Sequence, residues 1–161
     1  MLLSDPTSSV GLRPVRYQFA TTRGDAYDDN WLVIDGTVTT PQGSWSFVEP
    51  CLLTDEAREV TSWLRAVAAG TVPVTPPDAE GALSPDVTFI EPLVALGLAG
   101  RSEGGAAAIR FHLSLEAAPP WQRGDDRPAL HQYTVDVRTD TTALLHAADR
   151  WEHALAAFPP R

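Results

Sequence analysis

The sequence predicts an α+β fold in a single domain: a curved antiparallel sheet of about six strands, packed on one face by two helices in a βββα-βββα order. Three observations predict it. Short segments alternate apolar and polar residues in both halves of the chain, each half ends in a stretch with three- and four-residue apolar spacing, and proline- and glycine-rich loops separate the segments. A chain of 161 residues with 43% hydrophobic composition can bury one core, and no shift in composition marks a second. Residues 1–161 are therefore read as one domain, with an ordered core over about 13–160 and a flexible arm at 1–12.

RYQFA (16–20) alternates Tyr17 and Phe19 with Arg16 and Gln18, which predicts a short strand. After the acidic loop TTRGDAYDD, NWLVIDGTVTT (30–40) runs into PQG and then SWSFVEPCLL, so a hairpin turning at Pro41 and Gly43 is expected. Thr54 is expected to cap a helix whose first turn carries Asp55 and Glu56, acidic residues suited to the positive end of the helix dipole. Ala57, Val60, Trp63, Leu64 and Val67 form one stripe, and Gly70 closes the helix.

TVPVTPPDAEGALSP (71–85) holds too many prolines and glycines for regular structure and is read as a surface crossing. Strands resume with VTFIEPLVALGLAG (87–100) and AAIRFHLSLEA (107–117), where Ile109, Phe111, Leu113 and Leu115 point inward and Arg110, His112, Ser114 and Glu116 point to water. LHQYTVDVRTD (130–140) alternates Tyr133, Val135 and Val137 with polar residues. Asp140 or Thr141 caps the closing helix, whose stripe is Leu144, Ala148, Trp151, Leu155 and Phe158, with Pro159 as its stop.

One motif occurs twice. WSFVEPCLLT (45–54) and VTFIEPLVAL (87–96) share an aromatic, a β-branched residue, Glu, Pro and an apolar run, at an offset of 89 − 47 = 42 residues. Pro50 and Pro92 donate nothing to a ladder, so each belongs at a bulge or an edge and holds the preceding Glu49 or Glu91 in extended geometry. Glu49 and Glu91 are structural or binding carboxylates. The first reading is that they hold backbone amides or an arginine such as Arg110 or Arg138; contact with a partner is the second; paired acid/base chemistry is the third.

Other chemistry is sparse. Cys51 is alone in an apolar run and is read as packing. His146, Asp149 and His153 share the polar face of the last helix, a solvated face rather than a metal site, and His112 and His131 lie beside no Ser or Cys nucleophile motif. No Gly-rich phosphate loop, CxxC or HExxH is present, so neither catalytic residues nor a metal or cofactor are expected.

The net charge is −9, from 21 acidic residues against 12 basic ones, all of them Arg. Such a surface repels nucleic acid and anionic membranes and suits a basic protein partner. MLLSDPTSSVG has no charged leader region and the run LVALGLAG (93–100) is too short to cross a bilayer, so a soluble, cytoplasmic protein is expected. Trp45, Trp63 and Trp151 fit core stripes, whereas Trp31 follows DAYDDN and Trp121 precedes QRGDDR. Aromatic rings beside carboxylates suit an interface as well as they suit core plugs, which makes Asp25, Asp28 and Asp29 with Trp31, and Asp125 and Asp126 with Trp121, the candidate contact residues.

DDNWLVI, GSWSFVEPCLLTDEA leading into a helix with Trp63 and Leu64, FIEPLVAL, FHLSLEAAPPW and a last helix ending AAFPP together resemble the WapI-type immunity proteins of bacteria, over about residues 15–160. The resemblance implies an antitoxin that binds the toxic domain of a cognate polymorphic toxin, with nucleases frequent among those toxins. It identifies no contact residue, and self-association stays open. The rival reading is a small-molecule-binding or regulatory domain with the same curved sheet.

Overall fold

The computed structural model describes residues 1–123 and 127–161. It is an α+β fold with two helices and two antiparallel sheets. The first sheet is a four-stranded meander of β1 (Leu2–Ser4), β2 (Ser9–Tyr17), β3 (Trp31–Thr40) and β4 (Gly43–Leu53). Helix α1 (Thr54–Ala68) follows, then the second sheet of β5 (Val94–Arg101), β6 (Ala107–Leu113) and β7 (Thr134–Thr139), and finally α2 (Thr141–Leu155).

Two expectations change. Among the described residues the strands number seven and form two sheets of four and three rather than one sheet of about six. The amino-terminal segment, expected as an arm, is built into the first sheet as β1 and the start of β2: Leu3 pairs with Val10, and both are fully buried. Leu3, Val10 and Leu12 alternate with polar or small residues, and burying them outweighs the ordering entropy of the segment.

The sheets meet at the edges of β1 and β7. There the Asp5 carboxylate accepts the Arg138 N–H through Oδ2 at 3.0 Å. Its Oδ1 accepts the Thr7 N–H and hydroxyl and the Ser8 N–H at 2.7–2.8 Å. These donors, Arg138 foremost, hold the Asp5 carboxyl well below the usual carboxylate range. Both sheets and both helices contribute to one continuous core that includes Leu32, Ile34, Leu52, Leu64, Leu96, Phe111, Leu144 and Trp151. The helices pack on each other; the Trp151 indole donates to the Ala57 carbonyl at 2.7 Å, and Arg65 reaches Asp149 and Glu152 at 2.9 and 2.8 Å.

Local signals explain the helix ends. Gly70, at φ +77°, takes the left-handed position after α1, with its N–H on the Val67 carbonyl and that of Thr71 on the Ala66 carbonyl. Asp140 caps α2 by accepting the Ala143 N–H at 2.8 Å. Thr54 is the first residue of α1 rather than its cap, and its hydroxyl donates to Asn30 Oδ1.

The face of β6 expected to be wet is covered in part: Arg110 is half-buried and Glu116 exposed, but His112 and Ser114 are buried. The 71–87 segment lies close to His112, since a Cβ on Gly97 would meet His112 Nε2 at 3.4 Å and Pro85 and Asp86 backbone at 3.7 Å, and the Ser114 hydroxyl accepts the His131 N–H at 2.9 Å. Gln132 pins the crossing, accepting the Leu83 N–H and donating to its carbonyl. His112 Nδ1 lies 2.5 Å from the His131 carbonyl and so carries the proton, and burial lowers the pKa of the ring.

Candidate functional site

The two Glu-Pro steps are brought together. In the first, Pro50 sits beside a bulge: Val33 pairs with Pro50 and Leu32 with Leu52, leaving Cys51 as the extra residue. In the second, Pro92 lies in the bend before β5 rather than inside a strand. The two copies nonetheless share one burial pattern. Phe47 and Phe89 are buried, Val48 and Ile90 are 53% and 57% exposed, and both Glu-Pro pairs are half-buried. Cys51 and Leu93 follow as buried residues.

Glu56, in the first turn of α1, joins the copies. Its Oε2 accepts the Leu53 N–H and its Oε1 the Ile90 N–H, both at 2.8 Å. Burial pushes the Cys51 thiol up to about 12, helped by the negative charges of Glu56, Glu91 and Glu49, so it is a packing group and not a thiolate. Neither Glu49 nor Glu91 forms an ion pair among the described residues. The expected arginine partners are otherwise engaged or absent: Arg110 makes a two-point pair with Asp136, its direct neighbour across β6 and β7, at 2.8 Å, and Arg138 meets the Asp5 carboxylate only through its backbone.

The acidic loop before β3 adjoins this region, since Trp31 pairs with Leu53 and Asn30 with Thr54. Its aspartates divide by role. Asp29 is buried and accepts the Arg23 and Gly24 N–H groups at 2.6 and 3.0 Å. Asp25 is exposed but accepts the Tyr27 and Asp28 N–H groups, shaping the helical turn Asp28–Asn30. Trp31 is half-buried and meets Tyr27 edge-on at 5.7 Å. Tyr27 is itself 48% exposed, which sequence reasoning missed; its place within DAYDD was the available signal.

Trp121 stands elsewhere. It lies over Gly43, where an added Cβ would meet its ring at 2.9 Å, and edge-on to Trp45 at 5.4 Å. Gly43 and Trp31 mark opposite ends of β3 and its hairpin, roughly 30 Å apart at strand rise. The structure thus separates the two halves of the expected contact surface. Asp125 and Asp126 lie outside the described residues.

The arrangement presents exposed apolar side chains next to carboxylates, a surface suited to recognition. The model of the immunity protein WapI-like family matches residues 1–159. The chain belongs to the WapI-like immunity protein family. No curated protein and no solved structure matches it. Membership in the WapI-like family gives the chain an immunity role in general terms and implies a cognate toxin as partner. Immunity-protein families are typically non-catalytic. Among the described residues, no helix of this WapI-like protein is long and apolar enough to cross a membrane.

Proposed function

We propose that this protein neutralises the toxic domain of a cognate bacterial polymorphic toxin by occluding a basic, active surface with its own acidic one. The observation that carries the reading is the juxtaposition of exposed Tyr27 with Asp25 and Asp28, beside the end of β4, on a chain of net charge −9. The ring supplies area to bury, and the carboxylates attract a cationic partner before contact. A nuclease is the natural target, because a phosphate-binding cleft must be basic.

Asp28 is the residue to reverse, since the Asp25 and Asp29 side chains hold backbone amides and their loss would disturb the loop itself. Co-expressed with its cognate toxin domain, the wild-type protein should rescue growth. Tyr27→Ala with Asp28→Lys should slow association by about tenfold and flatten its salt dependence. Absence of both binding and rescue by the wild-type protein would refute the proposal.

A further inference from the structure

The two sheets have four outer edges. β1 and β7 face each other across the Asp5–Arg138 bond. The 71–87 crossing covers β5: the Thr75 N–H bonds the Leu98 carbonyl, those of Asp86 and Val87 bond the Leu96 carbonyl, and the Leu96 N–H returns to Val87. β4 differs.

Its hairpin closes through a two-residue loop, Pro41 and Gln42, on the pair Thr40 and Gly43. A pair closing so short a loop must exchange hydrogen bonds, and bonded and non-bonded pairs alternate from there. Trp45, Phe47 and Glu49 therefore bond inward to β3, while Ser44, Ser46 and Val48 turn their N–H and C=O groups outward. Pro50 takes the next outward position, so its missing N–H removes nothing from the ladder. Among the described residues no hydrogen bond reaches the outward groups of Ser44, Ser46 or Val48, and all three residues are exposed. No charge or proline interrupts them. Such an edge is a template for another strand.

Beyond Pro50 lie Ile90 and Glu91, tied to Leu53 through Glu56. Among the described residues, Val48 and Ile90 have the highest exposure of the large apolar residues, and Glu49 and Glu91 form no ion pair. We infer that a cationic, extended segment of the toxin domain adds to the β4 edge as a further strand. Its basic side chains answer Glu49 and Glu91, and its apolar ones cover Val48 and Ile90. A second copy of this chain is the poorer occupant: it brings another −9 charges, and its β4, paired edge to edge, has no basic residue to answer either glutamate. The inference rests on the immunity reading and names its contact.

The test uses the full chain and the cognate toxin domain that the growth-rescue experiment identifies. Amide hydrogen exchange at Ser44, Ser46 and Val48 should be fast in the free protein and slow in the complex. Ser46→Pro deletes one outward N–H and leaves the β3 ladder whole; it should weaken binding by about tenfold or more while Ser46→Ala binds normally. Glu49→Lys with Glu91→Lys should weaken binding and reduce its salt dependence. Toxin binding with unchanged exchange at these amides overturns the inference and leaves the immunity reading standing. A free dimer with the amides already protected gives the edge to a second copy and also overturns it. Failure of the wild-type protein to bind or protect refutes the immunity reading and this inference with it. Should Ser46→Pro not fold, exchange in the wild-type complex decides.

Discussion

Leu53 and Ile90 donate their backbone N–H groups to opposite oxygens of one carboxylate, that of Glu56, at 2.8 Å each. The end of β4 and the approach to β5 are thereby fixed to the first turn of α1. Glu56→Ala removes both charge-assisted bonds and should destabilise the fold by about 2–4 kcal/mol. Glu56→Gln keeps one acceptor and should lose about half as much. Urea unfolding of the two variants measures this, and equal stability of Glu56→Ala and wild type would discount the clamp.

Gly36 lies directly across from Phe47, and a Cβ there would fall 2.2 Å from the phenyl ring. The ring fills the space the glycine leaves. Gly36→Ala should displace it at a cost of about 1–3 kcal/mol, visible as a lower thermal midpoint. Thr37→Ala, one residue along on the exposed side, serves as the control that should change little.

His112 is buried with a lowered pKa, chiefly through desolvation, and His131 shifts the same way. Unfolded histidine takes up a proton below about 6.5, whereas folded His112 resists it. The unfolded state then binds more protons. The stabilising term is complete above about pH 6.5 and is lost as pH falls toward the folded value. Unfolding free energy measured from pH 7.5 to 5 should decline, and His112→Gln should flatten the decline. An unchanged slope would place the sensitivity elsewhere.

Asp5 acts in a lower window. Its carboxyl is held well below the usual range by the Arg138 N–H and by Thr7 and Ser8, so its stabilisation is present above about pH 4 and fades as pH drops further. Asp5→Asn should have a lower urea midpoint than wild type at pH 7, and the difference should shrink below about pH 4. A difference that stays constant down to pH 2.5 would mean that the effect of Asp5 is steric.

Much of this was legible in the sequence for definite reasons. Both helices, their stripes, the Asp140 cap and the Gly70 stop rest on local periodicity and backbone chemistry, which the residues carry wherever they lie. The β3–β4 hairpin followed from alternation and Pro41, and the placement of Pro50 on an edge strand beside a bulge followed from its missing donor. The edge-to-edge meeting of two sheets did not, because it brings together Asp5 and Arg138, 133 residues apart. The burial of His112 depends on where a loop without periodicity comes to lie. Glu56 hid behind its position in a helix first turn, where a carboxylate is expected for the dipole alone. The open edge of β4, by contrast, was within reach: the two-residue turn fixes the parity of every later residue up to the bulge.

The junction between Asp5 and Arg138 also orders events in time. During synthesis the first sheet can pair within itself soon after Leu53 leaves the ribosome, but the strand that flanks its outer margin is made last. A nascent chain therefore carries the β1 margin and the Asp5 carboxylate without their β7 neighbour until residue 138 has been made.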